Sequence, residues 1–293
     1  MNVIMFHSGK DLPSFLEDNF KQFRYFNPAV PVYFLTDYHH LQNPIFTKYS
    51  ITAVNKDDYY SEKVTHFEIL FGRTSNDFWT LAATRMIYIE NFMRLRSMTN
   101  VYHFENDVLI YYNLQKHHTY LRQYWGMWIT FGGPDKCMTG FMFIKNYKAL
   151  QHMTNYWINL LSEYGVVGVK NTFKVDMVNE MTLMRIYASD AESKLRPLPT
   201  MPVPPMNHGF EDFGSLFDPA SWGQYVGGTR NEGPGAMPQD HYIGTWLKSL
   251  PEVRLVWIYE DHLKIPTLIY NNEAFRINNL HIHSKNLHLY ISK

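Results

Sequence analysis

The sequence predicts an α/β fold built on a mixed, mainly parallel central sheet. Strand-like apolar runs alternate with helix-like segments through the first half of the chain, which is the pattern of parallel sheets with crossover helices. The 293 residues are enough to bury a large core, and 45% of them are hydrophobic. The length fits one large domain or two small ones, and the chain shows no internal repeat.

The predicted strands and helices follow one another along the chain. Strands are expected at short apolar runs: Asn2–Phe6, Val32–Leu35, Val101–Phe104, Met127–Thr130 and Gly140–Ile144. Helices are expected where apolar residues recur at helical spacing: Leu12–Phe26, Asn76–Arg96, Tyr147–Leu161 and Val175–Tyr187. The first helix should stop at Asn27-Pro28, because the residue before a proline is disfavoured in helical conformation.

Residues 196–238 differ from the rest of the chain in being dense in proline and glycine. Such a segment predicts long ordered loops rather than core. These loops could form the acceptor-side wall of a site, or they could wrap around a sheet edge.

Composition excludes several classes of protein. Lys plus Arg equals Asp plus Glu, at 27 each, which argues against a nucleic-acid-binding protein. Cys137 is the single cysteine, so no intrachain disulfide can form and a reducing compartment is expected. The sequence has no apolar run of about 20 residues and no signal-peptide pattern, which predicts a soluble, cytoplasmic protein without a membrane span. The oligomeric state stays open.

Two carboxylates, Glu105 and Asp107, stand two residues apart where one apolar run ends and another begins. Residues i and i+2 of an extended chain point to the same side, so both acids can face one point. Charges next to buried strands are costly unless they are neutralised, and hard divalent cations take oxygen ligands. The pair therefore indicates a metal site with phosphate attached, and the alternative is a strand-end turn with solvated acids.

Apolar and polar residues alternate along the segment 278–285 near the end of the chain. Leu280 and Ile282 should face one side, and His281, His283 and Lys285 the other. Imidazoles are metal ligands, and an ammonium group binds phosphate. Of the two histidines, His283 is the expected metal ligand, and His281 by itself is more simply read as an exposed residue.

The acidic triplet Glu105-Asn106-Asp107 after an apolar strand, together with the late His283-Ser284-Lys285 element, resembles the GT-A glycosyltransferases. Residues 217–228 and 279–285 resemble a subgroup found in bacteria and large DNA viruses, including glycosyltransferases of algal chloroviruses, among them a xylosyltransferase. The resemblance implies a single GT-A domain, with a nucleotide- and metal-binding half at 1–130 and an acceptor half at 131–293. The family triplet begins with Asp, so direct ligation by Glu105 stays open.

The resemblance also implies a cofactor and a set of ligand-binding residues. The metal would be Mn²⁺ or Mg²⁺, held by Glu105, Asp107 and His283 against the diphosphate of a UDP sugar. The residues implied to contact the nucleotide sugar are His7, Ser8, Gly9, Thr36, Asp37, Arg85, Asn106 and Lys285. For Asp37, turn chemistry at a strand end is nearly as good an explanation.

The expected reaction is an inverting transfer from a UDP sugar, with UDP-xylose as the first expectation, to a glycan hydroxyl. Inversion requires a carboxylate that takes the acceptor proton. The candidates are Asp176 and then Asp240, both at expected helix starts, where Asp is commonly an N-cap. A metal-dependent phosphohydrolase acting on nucleotide sugars and a non-catalytic carbohydrate-binding protein are the alternatives, and the viral resemblance would place the enzyme in a host cytoplasm.

Overall fold

The structure is a computed structural model that describes residues 1–72, 77–190, 192–229, 232–235, 242–249 and 253–293. Its strands are β1 (Asn2–Phe6), β2 (Val32–Thr36), β3 (Ile51–Asn55), β4 (Thr99–Phe104), β5 (Val108–Ile110), β6 (Met127–Gly133), β7 (Lys136–Asn146), β8 (Leu195–Pro197), β9 (Arg254–Glu260), β10 (Leu263–Tyr270), β11 (Glu273–Arg276) and β12 (Asn279–His281).

The central sheet has the strand order β3-β2-β1-β4-β7-β6-β8. Within the described part of the chain, β3, β2, β1 and β4 pair in parallel, and β8 is parallel to β6. Only β7 is antiparallel to its neighbours, β4 and β6. This confirms the predicted α/β class with a mixed, mainly parallel sheet.

The helices are α1 (Leu16–Phe26), α2 (Pro44–Lys48), α3 (Glu62–Phe71), α4 (Phe78–Leu95), α5 (Gln115–Leu121), α6 (Tyr147–Phe173), α7 (Glu180–Ala188), α8 (Phe210–Phe213), α9 (Trp222–Gly227) and α10 (Tyr242–Ser249). Within the described residues, none of them is both long and apolar enough to cross a bilayer.

The central sheet is covered on both faces because its strands alternate their side chains. On β1, Ile4 belongs to one apolar core with α3, α4, α6 and α7, whereas Val3 and Met5 belong to a second core with α1, α2 and α5. On α1, Leu16, Phe20 and Phe23 are buried at helical spacing and face that second core. This layering brings the carboxyl ends of β1, β2 and β4 to one edge of the sheet.

A third apolar core lies under two small sheets made by the end of the chain. β9, β10 and β11 form an antiparallel meander, and β12 pairs antiparallel with β5. Leu280 and Ile282 are fully buried in this core. The pairing with β5 brings the C-terminal strand next to the chain that follows β4.

Several helix boundaries differ from the sequence predictions. The first helix begins at Leu16 rather than Leu12, and α6 continues to Phe173 beyond a non-helical Gly165 with φ 61° and ψ 171°. The expected start of α4 at Asn76 lies outside the described residues, and Asp77 caps that helix by accepting from the amides of Trp79 and Thr80.

The prediction that a helix begins near Asp176 is wrong. Helix α7 begins at Glu180, because Asn179 and Thr182 form a reciprocal capping box at that point. The Pro/Gly-rich segment is also more structured than expected, since it contains β8 from Leu195 and the short helices α8 and α9.

Candidate functional site

Two adjoining cavities open at the edge of the sheet where β1 and β4 end. Their volumes are about 250 and 440 Å³. The carboxyl ends of parallel strands are where open α/β sheets bind ligands. Both cavities are lined by the same five residues, Phe78, Glu105, Asp107, Glu180 and Lys285.

Glu105 and Asp107 lie in the turn between β4 and β5 rather than on an extended strand. The turn is closed by the amide of Val108, which donates to the carbonyl of Glu105 at 3.1 Å. Both carboxylates still face one point, as the sequence predicted: His281 Nε2 lies 3.1 Å from Asp107 Oδ2 and 3.4 Å from Glu105 Oε2. One donor atom from each of the three side chains lies within 4.8 Å of the others, which is a geometry that could hold a metal ion.

Each carboxylate also has a cationic partner. The Arg85 guanidinium contacts Glu105 and donates to the Thr139 hydroxyl at 2.6 Å, and the Lys285 ammonium contacts Asp107. Burial by itself raises the pKa of both acids. Arg85 and His281 nevertheless hold the pKa of Glu105 well below its usual range. His281 and Lys285 do the same for the pKa of Asp107. Both acids are therefore ionised at neutral pH.

His281 is held by its backbone as well as by the acids. Its amide donates to the buried Asp218 carboxylate at 2.8 Å, and the amides of Trp222 and Gly223 donate to the same group, each at 2.8 Å. A Cβ on Gly223 would lie 2.1 Å from the His281 carbonyl oxygen, so α9 can approach β12 only with glycine there. Burial lowers the pKa of His281, but the Asp107 and Glu105 carboxylates raise it above the usual value.

His283, the histidine expected to bind metal, lines the second cavity but is not part of the three-residue cluster. Its Nδ1 lies 3.1 Å from Gln224 Nε2, and its ring centroid is 4.4 Å from that of His281. Its Nε2 is buried and has no hydrogen-bond partner among the described residues. Burial and the neighbouring His281 lower the pKa of His283 to about 3, so its imidazole is neutral.

The alternation predicted for residues 278–285 holds in the structure although β12 ends at His281. His281, His283 and Lys285 all line the second cavity, while Leu280 and Ile282 point into the core. The chain can turn after β12 because Lys285 adopts a positive φ of 64°.

The expected nucleotide-contacting residues fall into two groups. The first cavity is lined by His7, Ser8, Arg85, Asn106 and Lys285. Asn106 donates to the carbonyl of Phe6 at 3.2 Å, which ties the acidic turn to the end of β1.

Gly9, Thr36 and Asp37 form the second group and do not line either cavity among the residues that the structure describes. Asp37 accepts from the amide of Gly9 at 2.8 Å and pairs with Lys56 at 3.1 Å. Thr36 is fully buried. Asp37 therefore holds the loop after β1 through the Gly9 amide.

Asp176, the first of the two expected bases, does not line either cavity. Asp176 is exposed in the segment before α7, and Asp240 lies outside the described residues. Instead, Glu180 at the start of α7 is 4% exposed and lines both cavities. Burial raises the pKa of the Glu180 carboxyl to about 7, and Oε2 has no hydrogen-bond partner among the described residues.

Sequence reasoning therefore missed Glu180 and Thr139 and assigned His281 to the surface. The Asn179-to-Thr182 spacing is a helix-start pattern that could have placed Glu180 on the first turn of α7. The sequence offers no comparable signal for Thr139.

No protein-family model matches the sequence, and no curated protein matches it. Among solved structures, mouse xyloside xylosyltransferase 1 is similar at 9% identity and a TM-score of 0.49, over 72% of this chain and 91% of that one. An active-site mutant of LgtC matches at 11% identity and a TM-score of 0.43, over 72% and 78% of the two chains. The glycosyltransferase GlyE of Streptococcus pneumoniae matches at 11% identity and a TM-score of 0.37, over 67% and 45%. At these values none of the matches assigns an activity to this chain.

Proposed function

We propose that the chain is a GT-A glycosyltransferase that transfers a sugar from a nucleoside diphosphate sugar to a glycan hydroxyl. The observation that carries the proposal is the convergence, in one cavity edge, of two ionised carboxylates, an imidazole and two cationic side chains. Such a set suits a ligand that combines a divalent cation with a diphosphate.

Glu105, Asp107 and His281 are the residues that would hold the cation. Carboxylate oxygens suit Mg²⁺ and Mn²⁺, and an imidazole nitrogen favours the transition metal of the two. The neighbouring His283 is a further candidate ligand, because its neutral ring carries a buried Nε2 without a partner in the described part of the chain. When bound, the cation would supply positive charge next to the leaving diphosphate.

Lys285 is the residue best placed to bind the diphosphate directly. Its side chain is 48% exposed and lines both cavities, so the ammonium can leave Asp107 and reach a phosphate within the same space. Arg85 is more confined, since it contacts Glu105 and Thr139. We assign Arg85 the role of fixing the Glu105 carboxylate, with a donor contact as its second role.

Activation of the acceptor requires a carboxylate near the sugar. Asp176 and Asp240 stay our first and second candidates for an inverting reaction, and the structure adds Glu180 as a third. A pKa of about 7 suits a general base at neutral pH, and Glu180 lies on both cavities. Removal of the true base should lower kcat by about 10²–10⁴-fold with little change in donor affinity.

The donor is expected to be a UDP sugar. UDP-xylose is the first to test because of the sequence resemblance, and the viral origin and cytoplasmic setting implied by that resemblance stay predictions. The test is a melting-temperature screen of UDP, GDP and CDP sugars with and without Mn²⁺, followed by product analysis with glycan acceptors. We expect a metal-dependent shift with one nucleotide class, and a glycosylated product whose anomeric configuration, read by NMR, is opposite to that of the donor.

Matched variants make the screen specific to the site. Asp107→Asn should abolish the Mn²⁺-dependent shift, whereas Asp261→Asn, on an exposed turn between β9 and β10, should leave it unchanged. Acceptor-independent release of a sugar 1-phosphate together with the nucleoside monophosphate would favour the phosphohydrolase alternative. Binding of glycan without any nucleotide would favour the carbohydrate-binding alternative.

A further inference from the structure

Three histidines hold the loop between β1 and α1 through consecutive backbone carbonyl groups. In each case a ring Nε2 lies 2.9 Å from the carbonyl oxygen. The pairs are His40 with Gly9, His39 with Lys10, and His7 with Asp11. We call this arrangement the histidine clasp.

Two histidines of the clasp, His39 and His40, come from the turn after β2 and therefore connect two elements. They lie two and three residues after Asp37, whose carboxylate accepts from the amide of Gly9 at 2.8 Å. Asp37 is in turn paired with Lys56 at 3.1 Å. The loop after β1 is thus attached to the turn after β2 through the carbonyl groups of Gly9 and Lys10 and through the amide of Gly9.

Burial alone would not fix this loop, because Gly9, Lys10 and Asp11 are all exposed. Exposed backbone of this kind is ordinarily mobile unless hydrogen bonds hold it. His40, in contrast, is 6% exposed and its ring lies 5.8 Å from that of His7. The clasp therefore connects the exposed loop to the buried His40.

The same connection forms one wall of the first cavity. His7 and Ser8 line it, as do Pro13 and Phe15 a few residues later. The same cavity is also lined by the charged residues proposed to bind or orient metal and diphosphate, which are Arg85, Glu105, Asp107 and Lys285. Hydroxyl, imidazole and aromatic groups suit the ribose and base of a nucleotide rather than its phosphates.

We propose that His39 and His40 are positioning residues for the nucleoside end of the donor: by holding the carbonyls of Lys10 and Gly9 they fix the loop that contacts the ribose and base. This inference rests on the proposed function. The inference goes beyond the proposed function because it assigns a role to two histidines that do not themselves line the cavity.

The test compares histidine variants with and without a hydrogen-bond donor. His40→Leu and His39→Leu remove the donor, His40→Gln retains one, and His66→Leu changes an exposed histidine on α3 as a control. UDP affinity is measured by calorimetry, and Mn²⁺ affinity by electron paramagnetic resonance. Hydrogen exchange of the loop amides is followed in the free protein by mass spectrometry.

We expect His40→Leu to weaken UDP binding about tenfold, the effect of one lost hydrogen bond that ordered the site. His40→Gln should recover binding to within about threefold of the wild type on the same reasoning. Hydrogen exchange of the loop amides should accelerate in both leucine variants of the clasp and not in His66→Leu. Mn²⁺ affinity should stay unchanged, because the clasp does not contact the acidic turn; a general loss of structure would lower it.

If His39→Leu and His40→Leu both bind UDP with the wild-type affinity, this inference is overturned. The proposed function would stay intact. Loop exchange that is equally slow in His39→Leu and the wild type would remove His39 from the clasp. A wild-type protein that binds no nucleotide at all would instead refute the proposed function.

Discussion

Replacing the buried Glu180 with glutamine should make stability less dependent on pH. The Glu180 carboxyl is 4% exposed, and burial raises its pKa from the ordinary 4.5 to about 7. Between these two values the folded protein holds a proton that the unfolded chain has released. Stability should therefore fall as pH rises through this window, because ionisation is harder in the folded state.

The size of this effect follows from the two pKa values. Their separation corresponds to about 3 kcal/mol of lost stability in the wild type between pH 4 and pH 8. Glu180→Gln cannot ionise, so the stability of the variant relative to the wild type should be about 3 kcal/mol more favourable at pH 8 than at pH 4. Comparing the two pH values cancels the packing effect of the amide itself.

Urea unfolding of both proteins at the two pH values measures this difference, and Glu211→Gln on the exposed helix α8 serves as the control. The control should show no pH-dependent difference from the wild type. A stability difference between Glu180→Gln and the wild type that is the same at pH 4 and pH 8 would refute a raised pKa at Glu180.

Three further predictions concern the groups that build the site. Gly223→Ala should cost about 1–3 kcal/mol of stability and weaken Mn²⁺ binding, because the added Cβ meets the His281 carbonyl at 2.1 Å; normal melting with full metal affinity would contradict this. Asp218→Asn should destabilise the fold by about 2 kcal/mol or more in chemical unfolding, since three backbone amides donate to that carboxylate; an unchanged unfolding midpoint would argue against it. Lys285→Met should weaken UDP binding while Mn²⁺ binding by the free protein stays the same or improves, because the ammonium competes for Asp107; equal UDP affinity in calorimetry would exclude a phosphate contact.

Five strands of the central sheet, β1, β2, β4, β6 and β7, were predictable because they are largely buried and read as apolar runs, whereas the more exposed β3 and β8 were not predicted. β1, β2 and β4 lie where the sequence placed them, within one or two residues at each end. β9, β10 and β11 were not predicted. The strand β9 does contain a continuous apolar run at residues 255–259, so a strand signal was present in the sequence and was missed.

The acidic pair was predictable for a different reason. Spacing of two residues brings Glu105 and Asp107 to one point in a strand and, as it happens, also in the tight turn observed here. The choice between His281 and His283 was not predictable, because both lie on the same side of the chain. The pairing of β12 with β5 decides it, since it sets His281 opposite Val108, next to Asp107.

The expected bases show where local patterns stop being informative. Asp176 was assigned to a helix start from its residue type. The capping residue of α7 is instead Asn179, and the helix begins at Glu180. Glu180 rather than Asp176 therefore lies at the cavities. The division of the chain into halves at residue 130 stays a prediction. The residues of the site come from both sides of it, with Glu105 and Asp107 before and His281 after.

We propose that Glu105, Asp107 and His281 hold a divalent cation against a nucleoside diphosphate. The most direct test of this proposal is a crystal structure of the protein grown with UDP and Mn²⁺, with diffraction data collected at the manganese absorption edge. We expect one anomalous peak among the two carboxylates and the His281 ring, with the diphosphate beside Lys285. Bound UDP without a manganese peak at this cluster, or manganese bound elsewhere in the chain, would contradict it.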